Sequence, residues 1–190
     1  IAISVNRLKT YYENAYDINE ATYYSNLYNK MVIYQTWVIK PDGKFPLIGD
    51  TFSKDTPSNR LWQDDQNYIY AITKGESGIK PKAHSIVFPK AGYAIFRDDW
   101  ANGEFSTYIH FTAAYHTSYH KHSDDLSIWI YANGHDIVRE AGPNGYQYDN
   151  PYTQYAYSSY AHNTLIVNDM GLPRVDGKII ISKMMTLLVQ

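Results

Sequence analysis

The hydrophobic periodicity of the chain changes near residue 84, and this change constrains the fold more than any other feature. Residues 11–39 contain no Gly or Pro, and apolar or aromatic residues recur three or four positions apart, as at Tyr24, Leu27 and Met31. That spacing predicts helix. From residue 84 onward, short apolar or alternating runs are separated by turn residues, which predicts antiparallel strands. Helices followed by a series of strands indicate an α+β chain that is mainly β.

The clearest predicted hairpin is "DLSIWIYANGHDIVRE", in which the polarity alternates on both sides of Asn133–Gly134. This dipeptide favours a two-residue type I′ turn, in which both residues have positive φ. Residues 52–81 predict one or two further helices and a polar loop. In "IFRDDW", Arg97 is expected to pair with Asp98, Asp99 or another acid. Further strands are predicted in "HSIVF", "GYAIFRDDW", "EFSTYIHFTAAYH" and "NTLIVND", followed by a last apolar run, "KIIISKMMTLLV".

Composition excludes several classes of function. The formal net charge of −2 provides no basic surface for nucleic acid or an anionic membrane, so neither is a predicted partner. The chain has no cysteine, which excludes disulfides and thiolate metal ligands. The first residue is Ile1, and no signal-type segment follows it. One or two amphipathic helices, as predicted at the N-terminus, cannot bury their own apolar faces. We therefore expect the chain to be part of a larger protein.

Histidine is concentrated in "YHTSYHKHSDDLSIWIYANG", where His116, His120 and His122 fall within seven residues. Histidines at i and i+2 of a strand project to the same side, so the H-x-H pair can offer two imidazoles to one metal. Downstream, Glu140 in "DIVREAG" and His162 in "YAHNTLIV" extend the set of candidate ligands. Two imidazoles and one carboxylate form a common catalytic zinc site. The spacing alone leaves a metal site, a catalytic site and a polar loop as alternatives.

A cupin-like barrel is a second class that combines H-x-H with an acid on a β scaffold. That family places its Glu about four residues after the second His, where this chain has Leu126 and Ser127. The match therefore fails at a ligand position. Serine-hydrolase chemistry has no support, because the sequence contains no G-x-S-x-G motif.

Five segments in a fixed order resemble the heparinase II/III-like polysaccharide lyases. They are "DGKFPLIGD", "GYAIFRDDW", "HKHSDDLSIWIYANG", "REAGPNGYQYD" and "YAHNTLIVND". The resemblance runs from about residue 25 to residue 170 and implies an α/α toroid followed by a large antiparallel β-sandwich. It assigns residues 1–82 to the last toroid helices and a linker, and residues 83–190 to the first part of the sandwich. The remainder of both domains is then missing.

The resemblance also assigns roles to individual residues. His120 matches the family's catalytic histidine, and His122 and His162 match metal ligands. Glu140 stands where the family usually has Asp, so the type of ligand is kept although its length changes. The implied metal is zinc, and calcium is less favoured.

The activity implied is that of a carbon–oxygen lyase that cleaves uronic acid-containing polysaccharides by β-elimination. Tyr146 and Tyr148 match aromatic positions that contact the acidic polysaccharide substrate. The family's catalytic tyrosine and its carboxylate-neutralising Asn or His come from helices upstream, and no residue here is assigned to them. The implied location is secreted, periplasmic or at the cell surface. The alternative functions are a non-catalytic, carbohydrate-binding or structural remnant of such a lyase and, less favoured, a cupin-like metal enzyme.

Overall fold

The computed structural model describes residues 1–114, 120–173 and 179. Its N-terminal part consists of two helices that pack against each other, α1 (Ala2–Asn14) and α2 (Ile18–Val38). The helical prediction for residues 11–39 is confirmed in type, but two helices occupy the segment. Tyr16 has a φ of 57°, and the Asp17 side chain accepts a hydrogen bond of 3.2 Å from the backbone N–H of Glu20. This cap begins a new helix where the periodicity alone predicts a continuous one.

Only one helix forms in the region predicted to hold one or two, and it is short. The helix α3 (Gln66–Ile72) begins at Asp65, whose carboxylate accepts a 2.8 Å hydrogen bond from the backbone N–H of Tyr68. Tyr68 is fully buried, and its hydroxyl donates to the carbonyl of Ser58 at 2.7 Å. In the described part of the chain, no helix is long and apolar enough to cross a membrane.

Five strands follow and form one antiparallel sheet in chain order, so each strand pairs with the next. This arrangement confirms the predicted order of helices followed by antiparallel strands. The boundary between residues 82 and 83 remains a prediction. The strands are β1 (Ser85–Phe88), β2 (Tyr93–Arg97), β3 (Tyr108–Thr112), β4 (Ile128–Ala132) and β5 (His135–Val138).

The predicted β4–β5 turn is confirmed, since Asn133 and Gly134 have φ values of 51° and 82°. The register shifts within the hairpin, because Tyr131 lies opposite Asp136 whereas Ile130 lies opposite Val138. One extra residue on β5 therefore forms a bulge, which alternation around a two-residue turn does not predict.

The prediction of a strand in "NTLIVND" is wrong. The segment forms only an isolated bridge between Val167 and Met170, and Asn168 and Asp169 between them have φ values of 53° and 56°. Two successive residues with positive φ reverse the chain, so the segment does not extend along a sheet edge. The last apolar run, residues 178–189, lies outside the described residues except for residue 179.

A short helix, α4 (Pro151–Tyr157), lies in the tyrosine-rich segment and was not predicted. Asn150 caps it, because its side chain accepts a 2.9 Å hydrogen bond from the backbone N–H of Tyr152. Pro151 occupies the first turn, where its missing N–H leaves no donor unsatisfied. The Asn-Pro pair was the local signal for this helix.

The C-terminal end of α2 is fastened to the sheet by polar contacts. The Tyr108 hydroxyl on β3 donates to the carbonyl of Val38 at 3.2 Å. The buried Lys40 ammonium donates to both carboxylate oxygens of Asp136 on β5, at 2.8 and 3.0 Å. The Tyr108 contact gives a partner to a helix-end carbonyl that has none within the helix, and the Lys40 ion pair ties the segment after the helix to β5. The apolar core lies beneath them, between α2, α3 and the sheet, and contains Val32, Trp37, Val38, Ile39, Trp62, Tyr68, Ala71, Ile95, Trp100, Tyr108, Trp129 and Tyr131.

Arg97 contributes a third fastening, and the expectation that it pairs with an acid is wrong. Its guanidinium donates to the carbonyl of Ile39 and lies 3.8 Å from the ring centroid of Trp100 and 4.9 Å from that of Tyr108. Among the described residues, no carboxylate lies within ion-pair distance of Arg97. Aromatic faces and a helix-end carbonyl therefore surround this buried cation.

We predict that Gly92→Ala destabilises the protein far more than Gly49→Ala. Both glycines have positive φ, 70° and 54°, which disfavours alanine by roughly 1–2 kcal/mol. At Gly92 the added Cβ would also lie 2.0 Å from the carbonyl oxygen of Ala113, whereas at Gly49 nothing lies within 4 Å. Overpacking of this kind destabilises the folded state by roughly a further 1–3 kcal/mol. Urea denaturation measures the free energy of unfolding of both variants. Equal losses of this free energy would contradict the close approach between Gly92 and the backbone of Ala113.

We predict that one histidine makes the protein less stable in acid. His110 is buried on β3, and burial lowers its pKa from 6.5 to about 3. Between these values the unfolded chain binds a proton that the folded chain excludes, so the free energy of unfolding falls as the pH decreases. The loss is up to about 1.4 kcal/mol per pH unit. In His110→Phe, the free energy of unfolding measured with urea should decrease less between pH 6.5 and pH 3 than in the wild type. In His135→Phe, which alters an exposed histidine, it should depend on pH as in the wild type.

Candidate functional site

The loop that carries the H-x-H pair is held between β3 and α4. The backbone N–H of Ser123 donates to the carbonyl of Tyr157 at 2.9 Å, and that of Leu126 donates to the carbonyl of Thr112 at 2.7 Å. His120 and Leu126 have φ values of 58° and 67°. Residues other than Gly rarely adopt positive φ angles, and those that do cluster at functional sites.

Asp50 joins the two histidines of the H-x-H pair. One carboxylate oxygen contacts Nδ1 of His120, and the other lies 3.0 Å from Nε2 of His122. The hydroxyl of Tyr157 also donates to this carboxylate, at 3.3 Å. Because an ionised carboxylate only accepts hydrogen bonds, each imidazole directs a proton towards Asp50. The lone pair is then on Nε2 in His120 and on Nδ1 in His122.

The two histidines differ sharply in exposure. The side chain of His120 is 51% exposed, whereas that of His122 is fully buried. Between them, the buried ammonium of Lys121 pairs with Asp124 at 2.8 Å and with Asp125 at 3.0 Å. The two aspartates after the H-x-H pair therefore neutralise a lysine. His116 lies outside the described residues.

Glu140 and His162 form a second buried pair. One carboxylate oxygen of Glu140 contacts Nδ1 of His162, and the other accepts a 3.2 Å hydrogen bond from the backbone N–H of Asn163. Both side chains are almost completely buried. This contact brings the "AHN" segment to the end of the β4–β5 hairpin, and it places the proton of His162 on Nδ1.

The two buried histidines lie next to each other, with ring centroids 5.3 Å apart. Nδ1 of His122 and Nε2 of His162 are buried, and neither has a hydrogen-bond partner in the described part of the chain. Burial lowers the pKa of His122, and His162 acts in the same direction, whereas the hydrogen bond that His122 donates to Asp50 acts against them. Two neutral imidazoles with available lone pairs suit a zinc ion. Within residues 1–114 and 120–173, however, no three His, Asp or Glu side chains form a group that could hold a metal.

The predicted substrate-contacting tyrosines lie on the exposed side of this site. The ring of Tyr146 packs edge-on against His120 at 5.3 Å, and that of Tyr148 lies 5.5 Å from Tyr157. Tyr146 is 47% exposed and Tyr148 is 54% exposed. Both therefore keep aromatic surface available to a ligand.

His120 faces a cavity of about 190 Å³ that Asp50, His122 and Asp124 also line. A larger cleft of about 610 Å³, between α2 and the 45–56 loop, adjoins it and shares Ile48 and Tyr93 with it. We call these two neighbouring spaces the groove; α2 and the 45–56 loop border the larger one, and the sheet and the histidine loop border the smaller one.

Two residues of the site, Asp50 and Tyr157, were not among those predicted. Asp50 is the last residue of "DGKFPLIGD" and precedes His120 by 70 positions. No rule of local spacing connects residues so far apart, although the family-like segment that ends at Asp50 was a signal. Tyr157 was one tyrosine among the many of the 146–160 segment, without a pattern of its own.

Comparison with known proteins identifies relatives that cover most of the chain. Residues 80–190 match the family described as heparinase II/III-like, C-terminal. Over 165 residues, the chain is 23% identical to a heparin-sulfate lyase of Bacteroides stercoris, covering 81% of this chain and 24% of that protein. The chain therefore spans about a quarter of the length of this curated relative.

Solved structures share the fold. A crystal structure of heparinase III superposes with a TM-score of 0.75 at 18% identity, over 95% of this chain and 32% of that one. A heparan sulfate lyase from Pedobacter heparinus superposes with a TM-score of 0.72 at 18% identity, over 92% and 30%. This likeness confirms the predicted fold class, in which helices of an α/α toroid precede an antiparallel β-sandwich. Together with the match over more than half of its residues, it shows that the chain belongs to the heparinase II/III-like family.

Proposed function

We propose that the chain carries the sheet side of a polysaccharide lyase site that cleaves uronic acid-containing glycans by β-elimination. The observation that carries this proposal is the placement of His120, which faces an open cavity while Asp50 contacts its Nδ1. Membership of the heparinase-like family supports lyase chemistry at this position. His120 is then the base, or the group that shuttles the proton.

The demanding step is removal of the proton on C5 of the uronate, which lies next to a carboxylate and is weakly acidic. Nε2 of His120 has the lone pair and accepts this proton, because Asp50 holds the other ring proton on Nδ1. The electrons of the C5–H bond form a C4–C5 double bond, and the glycosidic oxygen leaves C4 and takes a proton from an acid. Asp50 also stabilises the imidazolium that forms, as a positioning residue.

The groove supports an extended glycan as the substrate, and the acidic character of that glycan rests on the family. Its two spaces adjoin at Ile48 and Tyr93, which gives room for sugars next to the reacting one. The exposed faces of Tyr146 and Tyr148 offer apolar surface for sugar rings. Because a curated relative is described as a heparin-sulfate lyase, we propose a glycosaminoglycan as the substrate class. The predicted secreted, periplasmic or cell-surface location stays a prediction.

We propose that zinc binds at the buried histidine pair, through Nδ1 of His122 and Nε2 of His162. When bound, the ion would cross-link the segments that carry these histidines and so fix the loop that presents His120. Glu140 was predicted as a ligand, and its contact with Nδ1 of His162 offers it a second role, that of orienting the imidazole. Calcium suits the site less, because it prefers oxygen ligands.

We expect His120→Ala to reduce elimination by at least about 10²-fold, because the variant lacks the group that accepts the C5 proton. The assay follows the ultraviolet absorbance of the unsaturated uronate product, in the protein expressed from its full gene. His135→Ala, which alters an exposed histidine on β5, is the matched control and should retain wild-type turnover. Unchanged turnover in His120→Ala would exclude this role, and sugar binding by the wild type without elimination would favour the non-catalytic alternative.

We expect elemental analysis to find about one zinc per chain in the wild type and much less in His162→Ala, because the variant lacks one of the two buried imidazoles. His84→Ala removes an exposed histidine away from the pair and should keep the wild-type zinc content. Equal zinc in His162→Ala and the wild type would refute the site, as would a wild type that takes up no zinc from a zinc-containing buffer.

A further inference from the structure

We propose that a small cavity between the end of α2, α3 and β2 binds one halide-sized anion, for which chloride is the available ion. The cavity has a volume of about 10 Å³. A volume of ~10–15 Å³ is the smallest that holds one water molecule, so a single monatomic ion is the largest ligand for this cavity, and the lining side chains must move slightly to admit it. Its lining residues are Lys40, Pro41, Tyr70, Ala71, Lys74, Gly75, Arg97, Trp100, Gly103 and Ser106.

The charges around this cavity have one sign. Lys40, Lys74 and Arg97 line it, and its lining contains no Asp or Glu. Lys40 and Lys74 have acidic partners that do not line the cavity, namely Asp136 at 2.8 Å and Asp42 at 3.2 Å for Lys40, and Glu104 at 3.6 Å for Lys74. Asp98 lies near enough to act on the pKa of Arg97, but no carboxylate forms an ion pair with Arg97 in the described part of the chain. Arg97 is therefore the lining cation without an ion-pair partner.

Two buried polar groups of the lining remain without partners. Nε of Arg97 has no hydrogen-bond partner among the described residues, although the guanidinium donates to Ile39 through another nitrogen. The hydroxyl of Ser106 also has none, and Ser106 is only 1% exposed. A buried donor without a partner destabilises a fold by about 1–3 kcal/mol, so such groups normally bind something.

An anion satisfies these groups better than a water molecule. Nε of Arg97 can only donate, and the Ser106 hydroxyl can rotate to donate as well. A monatomic anion accepts both hydrogen bonds and needs no acceptor, whereas a water molecule must also place its own two protons. The anion also compensates the buried charge of Arg97. Burial lowers the pKa of Arg97 to about 10, so the guanidinium remains charged at neutral pH.

An anion here would join the helical part to the sheet. Arg97 belongs to β2, Ser106 precedes β3, and Lys74 follows α3. Its binding would therefore stabilise the same contact that the end of α2 makes with the strands. This site is separate from the histidine groove, and no residue lines both this cavity and that of His120.

The test is the thermal unfolding of the protein as sodium chloride replaces sodium gluconate at constant ionic strength. Gluconate is too large for the cavity, so we expect a saturable rise in Tm of about 2–4 °C with chloride. Lys74→Met should weaken this rise, because it removes a lining cation. Lys80→Met is the matched control, since Lys80 forms a comparable exposed ion pair with Asp99 at 3.3 Å and neither residue lines the cavity. Its chloride response should equal that of the wild type.

A second measurement locates the ion directly. Crystals soaked in sodium bromide should show an anomalous peak within hydrogen-bond distance of Arg97 Nε and Ser106 Oγ. A peak there together with the chloride-dependent Tm supports the site. A water molecule in this place, or a Tm that does not respond to chloride, overturns it. An equal loss of response in Lys74→Met and Lys80→Met also overturns it, because the effect would then reflect general screening.

Discussion

The C-terminal end of α2 depends on the sheet for its polar contacts, and the rest of the structure depends on this attachment. A helix end leaves backbone carbonyls without intrahelical partners. Here the carbonyls of Val38 and Ile39 accept from Tyr108 and Arg97, and Lys40 pairs with Asp136. Three successive residues are thus tied to three different strands. The chain that leaves the helix starts from a fixed point and reaches Asp50 beside the histidine loop.

Asp50 contacts two histidines for which we propose different roles. One carboxylate contacts His120 and His122, yet the two side chains face different surroundings, one open to the groove and the other buried. The same carboxylate sets the tautomer of both rings. In His120 the lone pair is available for the proposed proton transfer. In His122 it is available, beside His162, for the proposed zinc ion.

Local patterns predicted local structure well. The strands at residues 85–112, the Asn133–Gly134 turn and the helical character of α2 all followed from periodicity and turn chemistry. The failures occurred where one side chain or a pair of unusual φ angles overrides the pattern. Asp17 caps a helix inside a periodic segment, and Asn168–Asp169 turns a segment that has strand composition. Both effects depend on geometry that hydrophobic periodicity does not encode.

The sequence by itself determined the order of helices and strands and the hairpin. These follow from spacings of a few residues, because side-chain direction repeats with the period of each element. The roles of His120, His122, Glu140 and His162 were instead predicted from the resemblance to the family. Only the tertiary structure decided that Asp50 joins the two histidines, that His120 is open while His122 is buried, and that Arg97 has no acid beside it. These properties depend on contacts between residues up to 72 positions apart and on exclusion of water, which only packing creates.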